Sequence, residues 1–312
     1  MAKANTGGIA KRPLGKGGPE ISIIGVGGFH LGSAENQDAA KTIVEHALES
    51  GINFFDNAWE YHDGQSEEWL GSALGKRRNE AVLMTKVCSH GRDKAIAMQM
   101  LEQSLRRLKT DHLDVWQIHE VVYDNDPDLI FRQNGAAEAL LEAKKQGKVR
   151  LIGFTGHKDP AIHLKMLSHG FPFDTVQMPL NAFDATFRSF EQQVLPEARK
   201  QNIAVFGMKS LGGSGEMIKW GGITPADALR YAMSLPVATT ISGMENLEVL
   251  KQNLEIAQQF TPLSASEMDR IRVRCRLEAA NGHLELFKTS TKYDGKVGRE
   301  QHGYPSIDEL PA

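Results

Sequence analysis

The sequence has 312 residues, of which 41% are hydrophobic and 24% are charged, and this composition is ordinary for a globular protein with a sizeable core. Collagen-like, coiled-coil and wholly disordered chains are therefore excluded. Lys and Arg number 36 against 39 Asp and Glu, so the formal net charge is −3, which argues against a nucleic-acid partner.

Cysteine usage and hydropathy indicate the compartment in which the protein works. Cys88 and Cys275 lie far apart in the sequence, a pattern that excludes a disulfide framework and is typical of reduced cytosolic thiols. No run of about 18 apolar residues could cross a bilayer. Residues 1–12 are small, polar and basic, and they lack the apolar core of a signal peptide. We expect a cytoplasmic protein that has no membrane partner.

In chain order, the first predicted element is a small hairpin over residues 12–22, because residues 14–19 carry turn chemistry. Short apolar strands then alternate with amphipathic helices. The predicted strands cover residues 23–29, 52–56, 81–87, 113–118, 149–154, 175–178, 203–208 and 237–242. The predicted helices cover residues 38–50, 66–76, 93–109, 136–146, 160–169, 190–201, 225–235 and 247–259. Asp38 is the predicted N-cap of the first helix, and Pro196 is expected to kink or delay the sixth.

Eight strand–helix units with continuously apolar strands indicate an α/β fold in which a parallel sheet closes into a (β/α)8 TIM barrel. An open doubly wound sheet is the rival fold, but its nucleotide fingerprint is missing. His30 stands where a third glycine is needed, and residues 25–30 open a loop rather than a helix. A further helix is predicted over 264–280, with a weakly structured tail over 282–312. We expect one domain over 1–312, with the barrel at 23–259 and the C-terminal helix and tail at 260–312.

Polar side chains end three successive predicted strands, namely Asp56, Lys86 and His119, and Tyr61 follows five residues after Asp56. Chemistry in such barrels lies where strands end and loops begin. The set suits reduction of a carbonyl group: Tyr61 donates a proton, and Lys86 is expected to lower its pKa. Asp56 would pair with the buried Lys86, and His119 would hydrogen-bond the carbonyl oxygen. Singly, these residues are also typical of a helix cap, a loop aromatic, a paired lysine and a core histidine.

Residues 56–74 resemble the signature stretch of the aldo-keto reductase superfamily, whose Asp, Tyr, Lys and His match Asp56, Tyr61, Lys86 and His119. The resemblance extends from about residue 12 to residue 259. It implies a parallel eight-fold barrel that binds NADP(H) or NAD(H) across its rim and reduces aldehydes and ketones. The roles of the four residues carry over, and the partner is a small-molecule carbonyl substrate. The oligomeric state stays open.

The resemblance also implies a set of cofactor-binding positions. They are Gly27, Gly28, Asp56, His157, Gln177, Met208, Lys209, Leu211, Gly213, Gly243 and Asn253. His157 stands where the family has Asn, and Met208 takes the place of an aromatic that stacks on the nicotinamide. Lys209 is a candidate for the pyrophosphate, Gln177 ends the sixth barrel strand, and Asn253 matches an adenine contact.

The preference between NADP(H) and NAD(H) depends on residues near the eighth barrel strand. Many NADP users of the family have basic residues where Gly243 and Val249 stand here, and Glu245 and Glu248 are acidic instead. A 2′-phosphate is best held by Arg or Lys, so NAD(H) is the alternative cofactor. Arginines of the extra helix are an alternative source of a phosphate contact, although they also fit a solvated face; they are Arg270, Arg272, Arg274 and Arg276.

Phe29, Trp59 and His119 are the predicted substrate contacts. Further contributions are expected from Val121, Tyr123, Tyr293 and Tyr304, and the polar tail favours a polar, sugar-like carbonyl. Metal-ligand, nucleophile-elbow and Walker motifs are missing, so we expect no metal and no barrel hydrolase. The predicted function is an NAD(P)H-dependent reductase with Tyr61 as proton donor. A cofactor-sensing regulatory subunit on the same fold is the alternative.

Overall fold

The computed structural model describes residues 8–88 and 92–301. An antiparallel pair, β1 (Lys11–Pro13) and β2 (Glu20–Ser22), precedes the main sheet, as predicted for residues 12–22. The Leu14 N–H donates to the Pro19 carbonyl at 2.9 Å and closes the turn between the two strands. Within the described ranges, no helix combines the length and apolarity needed to cross a bilayer.

Eight parallel strands form a closed barrel in which each strand pairs with the next in sequence and the last pairs with the first. They are β3 (Ile24–Gly27), β4 (Phe54–Asp56), β5 (Val82–Val87), β6 (Leu113–Ile118), β7 (Val149–Thr155), β8 (Thr175–Pro179), β9 (Ala204–Met208) and β10 (Thr239–Gly243). Strands β5 and β6 are buried at every residue, because the barrel interior covers one face and helices cover the other. The predicted TIM barrel is confirmed.

Helices follow the strands and cover the outside of the barrel. They are α1 (Gly28–Leu31), α2 (Gln37–Glu49), α3 (Gln65–Leu74), α4 (Lys94–Arg107), α5 (Asp126–Phe131), α6 (Ala136–Lys145), α7 (Pro160–Ser168), α8 (Phe190–Lys200), α9 (Glu216–Trp220), α10 (Pro225–Ser234) and α11 (Leu247–Gln258). The predicted N-cap of α2 is wrong: Asn36 caps it, because its side chain accepts the Ala39 N–H. Pro196 lies within α8, which stays helical on both sides while it buries Phe190 and Val194.

The barrel interior has its own apolar cluster, separate from the larger core between strands and helices. It contains Leu14, Ile21, Phe54, Val82, Met84, Val115, Phe206, Ala238 and Ile241. Leu14 and Ile21 come from the hairpin, so the hairpin closes one end of the barrel. The other end, where the strands finish, is open for a site.

The C-terminal region is more ordered than predicted. Helix α12 (Ala265–Ala279) is followed by α13 (Leu286–Thr289), a 3-10 turn (Thr291–Tyr293) and α14 (Lys296–Gln301). Phe287 and Lys288 are fully buried, and the Lys288 ammonium pairs with Asp184 at 2.6 Å and with Glu285 at 3.0 Å. These internal pairs are why a charge-rich stretch packs against the barrel. Tyr304 lies outside the described residues.

Candidate active site

The predicted catalytic residues converge at the carboxyl end of the barrel. Asp56 ends β4, Lys86 lies one residue before the end of β5, and His119 follows β6. Tyr61 begins the 3-10 turn Tyr61–Gly64 that follows β4. Asp56, Tyr61 and His119 line a cavity of about 710 Å³. The strand ends therefore bring together the groups that were expected to act together.

Lys86 is held in place by three oxygen atoms. Its side chain is 1% exposed, and Nζ forms an ion pair with Asp56. Nζ also donates to the Asn57 carbonyl at 2.7 Å and lies 3.5 Å from the Tyr61 hydroxyl. Gln177 Nε2 donates to the second Asp56 oxygen at 3.4 Å. The buried charge is thus paired and hydrogen-bonded, as a buried ammonium must be.

Tyr61 lies between the ammonium and the imidazole, with its hydroxyl oxygen 3.5 Å from Lys86 Nζ and 3.5 Å from His119 Nε2. The expectation that Lys86 lowers the Tyr61 pKa is not met. Burial raises that pKa well above its usual value, and the nearby carboxylates of Asp56, Glu60 and Glu120 raise it further. The phenol is therefore protonated at neutral pH, which is the state that a proton donor requires.

Glu60 is a member of the site that the sequence analysis missed. One of its carboxylate oxygens contacts His119 Nδ1, a contact that becomes an ion pair when the imidazole is protonated, and the other accepts from the Cys88 thiol. Burial alone would raise the Glu60 pKa, but His119 and the hydrogen bonds lower it below its usual value. Burial lowers the His119 pKa, against the opposing effect of Glu60. In the sequence, the only indication that Glu60 belongs to the site is its position next to Tyr61, and this position does not show where the side chain points.

The C-terminal segment covers one side of the cavity through Glu120. The Glu120 backbone has a φ of 49°, and its carboxylate accepts the Gly295 N–H at 2.9 Å. Burial raises the Glu120 pKa to about 8, with Glu60 adding to the shift. Asp294 pairs with Lys158 at 2.5 Å and anchors the same stretch. Residues 293–296 accordingly line the cavity.

Most of the predicted cofactor and substrate positions also line this cavity. They are Gly27, Gly28, Phe29, Asp56, Trp59, His119, His157, Gln177, Met208, Lys209, Leu211, Gly213, Gly243 and Tyr293. Asn253 is not among them: its side chain donates to Ser242 Oγ at 3.2 Å and to the Gly243 carbonyl at 3.3 Å. Tyr123 lines a neighbouring depression, and Val121 is buried in the core. The expectation that Val121 and Tyr123 line the cavity is therefore not met.

Unused polar atoms in the cavity fit a nicotinamide carboxamide. Gln177 Oε1, His157 Nε2 and Ser210 Oγ are buried and have no hydrogen-bond partner among the described residues. Burial and the charge of Lys209 lower the His157 pKa well below its usual value, so its imidazole is neutral. A carboxamide offers both donors and acceptors, and it would satisfy such atoms.

Two of the four arginines of α12 form ion pairs away from the cavity. Arg272 pairs with Glu191 at 2.6 Å and with Asp269 at 2.7 Å, and Arg274 pairs with Asp227 at 2.5 Å. None of the four arginines of this helix is among the cavity's described lining residues. The alternative that this helix supplies a phosphate contact is therefore not supported, and its arginines lie on a solvated face where Arg272 and Arg274 are ion-paired.

Three residues of the cavity have side chains of the type that bind metals. Candidate donor atoms of Glu60, His119 and Glu120 lie within 4.8 Å of one another. Each has a protein partner, however: Glu60 pairs with His119, and Glu120 accepts from Gly295. We interpret the group as a carboxylate–imidazole network and assign no metal to it.

The chain is similar to known proteins in both sequence and fold. The sequence profile described as the Aldo/keto reductase family matches residues 23–220. The uncharacterized oxidoreductase YqkF of Bacillus subtilis is 27% identical over 294 residues, which cover 80% of this chain and 91% of that protein. An aldo-keto reductase from Bacillus halodurans in its holo form has a TM-score of 0.73 at 24% identity, covering 89% of this chain and 99% of that one. An aldo-keto reductase from Klebsiella pneumoniae in complex with NADPH has a TM-score of 0.69 at 23% identity, covering 91% of this chain and 98% of that one.

Proposed function

The chain belongs to the aldo/keto reductase family, and we propose that it reduces an aldehyde or ketone to an alcohol with Tyr61 as the proton donor. The observation that carries this proposal is the position of the Tyr61 hydroxyl, 3.5 Å from both Lys86 Nζ and His119 Nε2 at the wall of the cavity. A phenol in that position can donate to a carbonyl oxygen while the neighbouring ammonium stabilises the phenolate that forms.

The chain's own residues handle the proton and the charge. When bound, the nicotinamide supplies the hydride for the carbonyl carbon. The carbonyl oxygen gains negative charge and takes the proton from Tyr61. Lys86, held by Asp56, stabilises the charge left on the phenol oxygen. The His119 imidazole, on the other side of that oxygen, orients the carbonyl and helps to move the proton.

The residues that would hold the cofactor follow the cavity wall. Gln177 and His157 would bind the carboxamide, and Met208 would pack on the nicotinamide ring. Lys209 and the backbone of residues 211–213 would contact the pyrophosphate. Gly27, Gly28 and Gly243 would allow close approach of the backbone. Asn253 would act at the adenine end, where it is held against the end of β10.

NADP(H) is the proposed cofactor, and NAD(H) is the alternative. The structurally similar Klebsiella pneumoniae enzyme is in complex with NADPH. Against this, the described cavity wall near Gly243 carries His30 and no arginine. A Cβ atom added to Gly243 would lie 2.4 Å from the His30 ring, so this ring occupies the space beside the strand end.

The substrate is proposed to be a small carbonyl compound that carries polar groups. Phe29 and Trp59 give the cavity an apolar side. Glu120, Lys209 and Asp294 line it as well and can hydrogen-bond hydroxyl groups. An apolar wall beside polar groups fits a sugar-like aldehyde or ketone better than a wholly apolar ketone.

The test is to titrate the purified protein with NADPH and with NADH while following tryptophan fluorescence, and then to assay glyceraldehyde and 4-nitrobenzaldehyde as substrates. Binding of either cofactor with steady turnover of an aldehyde supports the reductase. Faster turnover of glyceraldehyde supports the polar substrate class. Tight binding without turnover of either aldehyde would favour the cofactor-sensing subunit, and no binding of either cofactor would contradict both functions.

A further inference from the structure

Glu60 and Tyr61 contact different nitrogen atoms of the His119 imidazole. The Glu60 carboxylate contacts Nδ1, while the other ring nitrogen, Nε2, lies 3.5 Å from the Tyr61 hydroxyl. The side chains of His119 and Glu60 are 8% and 16% exposed. Water therefore has little access to the ring nitrogen that Glu60 covers.

The backbone on both sides of this pair is fixed. The Arg92 guanidinium donates to the carbonyls of His119 and Glu120 at 2.9 Å each, and Asp126 pairs with that guanidinium at 2.9 Å. On the other side, the Trp59 N–H donates to the Lys86 carbonyl at 3.1 Å. With the chain held on each side, the remaining freedom of the imidazole is rotation of its side chain, and Glu60 restrains that rotation.

We propose that Glu60 is a positioning residue for the reduction: its carboxylate holds the Nδ1 side of His119 so that Nε2 stays directed at the Tyr61 hydroxyl and can return a proton to it. This role rests on the proposed function, since it concerns the proton that Tyr61 gives away. It adds a fifth residue to the four that the sequence analysis identified.

The proton transfers balance in the direction of reduction. The Tyr61 O–H bond breaks as an O–H bond forms on the substrate oxygen. A solvent proton then binds His119 Nε2, and the imidazolium that forms passes a proton from Nε2 to the Tyr61 phenolate. Glu60 keeps the Nδ1–H in place throughout and stabilises the imidazolium while it carries both protons.

Other charged or titratable groups face His119 from the neighbouring elements, and the charged ones among them influence its pKa. They are Asp56, Tyr61, Lys86, Arg92, Glu120 and His157. Burial and Lys86 disfavour the imidazolium, whereas Glu60 and Asp56 favour it. Of the two carboxylates, Glu60 is the one in contact with the ring. Removal of the Glu60 charge should therefore lower the His119 pKa further, because burial and Lys86 both disfavour the imidazolium.

The test compares wild type with Glu60→Gln, which keeps the size of the side chain and removes its charge. With NADPH and 4-nitrobenzaldehyde, we expect kcat to fall by at least about tenfold, because general acid–base assistance is typically worth ~100-fold or more. KM should change little. The alkaline fall of kcat should move to lower pH, because the imidazolium loses its stabilising anion. Glu60→Asp, which keeps the charge, should restore part of the rate and of the profile.

A second readout does not depend on turnover. NMR spectra of ¹⁵N-histidine-labelled, cofactor-free protein report which ring nitrogen of each histidine carries the proton, and His119→Asn assigns the His119 signals. Wild type should show the Nδ1–H form and Glu60→Gln a lower His119 pKa. Cys88→Ala serves as the control for the packing around Glu60, because it removes a neighbour of the carboxylate and leaves the charge in place. Cys88→Ala should shift the pH profile of kcat less than Glu60→Gln does.

The possible failures are distinguishable. If wild type reduces the aldehyde and Glu60→Gln has an unchanged rate and pH profile, the role of Glu60 is wrong and the proposed function stands. If wild type reduces no aldehyde, the proposed function is wrong and this role is lost with it. Loss of activity on dialysis against EDTA, with recovery on adding Zn²⁺, would show that the cluster binds a metal and would overturn the proposal.

Discussion

Lys86 is an ammonium group with almost no access to solvent, and its partners explain how it stays charged there. Two of its three N–H directions are taken by Asp56 and by the Asn57 carbonyl. The third can point to the Tyr61 hydroxyl at 3.5 Å. The charge is therefore stabilised by groups that do not react, and it remains directed at the group that does.

Replacement of this ammonium tests that arrangement. Lys86→Met should abolish reduction or strongly lower kcat, because the phenolate that forms as Tyr61 gives up its proton loses its neighbouring cation. The variant should also lose about 3–5 kcal/mol of unfolding free energy, since Asp56 is left buried without its partner. Rates across the pH range and urea unfolding measure the two effects.

The matched control is the double variant Lys86→Met, Asp56→Asn, which removes both charges of the pair. It should recover much of the stability and none of the activity. A Lys86→Met variant with the wild-type kcat would contradict the stabilisation of the Tyr61 phenolate by Lys86.

The site residues that the sequence predicts lie at strand ends, whereas those that it does not predict lie in loops. Asp56, Lys86 and His119 are found by counting to the ends of buried strands. Glu60 and Glu120 lie in loops, and whether they contribute to the site depends on the direction of their side chains. For Glu120 that direction follows from a backbone φ of 49°, which the sequence does not signal.

The C-terminal segment is the element in which the structure departs most from expectation. Its Gly and charged residues resemble a flexible tail, but Lys288 and Asp294 find partners on the barrel. Long-range pairs of this kind are not visible in local periodicity. The strands and helices of the barrel were predictable because each has a local apolar pattern, whereas the order of this segment depends on contacts between distant residues.

A glycine in this segment gives a test of its role. A Cβ atom at Gly295 would lie 2.2 Å from a Glu120 carboxylate oxygen. Gly295→Ala should therefore displace the segment, raise KM for the aldehyde by several-fold and speed hydrogen exchange in residues 286–301. Cofactor affinity should change less, because the proposed carboxamide contacts lie on β8 and after β7.

Leu277→Ala is the control for this variant. Leu277 lies on α12 and is 86% exposed, so its loss should leave both KM and exchange as in wild type. Equal exchange rates in Gly295→Ala and wild type would show that the segment does not depend on the contact with Glu120.

For the molecule as a whole, barrel closure sets the geometry of the site. Strands β4, β5 and β6 are neighbours, and their hydrogen-bonded register pairs Asp56 with Met84 and Lys86 with Gln117. The distances among the catalytic groups are thus fixed by backbone ladders. The count of eight repeated units was enough to predict this architecture, since parallel strands of this number close on themselves.

The barrel interior should accordingly be sensitive to truncation. Phe54 is fully buried inside the barrel, with its ring centre 5.0 Å from that of Phe206. Phe54→Ala should lower the unfolding free energy by about 3–5 kcal/mol in urea denaturation, because it opens a cavity in a rigid interior. Val273→Ala, at a position that is 70% exposed, should change it by less than about 0.5 kcal/mol. Equal losses in the two variants would contradict the assignment of this core.

Tyr61 is the proposed donor of the proton to the carbonyl oxygen, and the reduction rate of Tyr61→Phe with saturating NADPH tests this role. The ring stays and only the hydroxyl is lost, so cofactor binding measured by tryptophan fluorescence should remain close to that of wild type. We predict a fall in kcat of about 100-fold or more, in line with the loss of a general acid. A variant that binds the cofactor and turns over within about tenfold of wild type would show that another group is the acid.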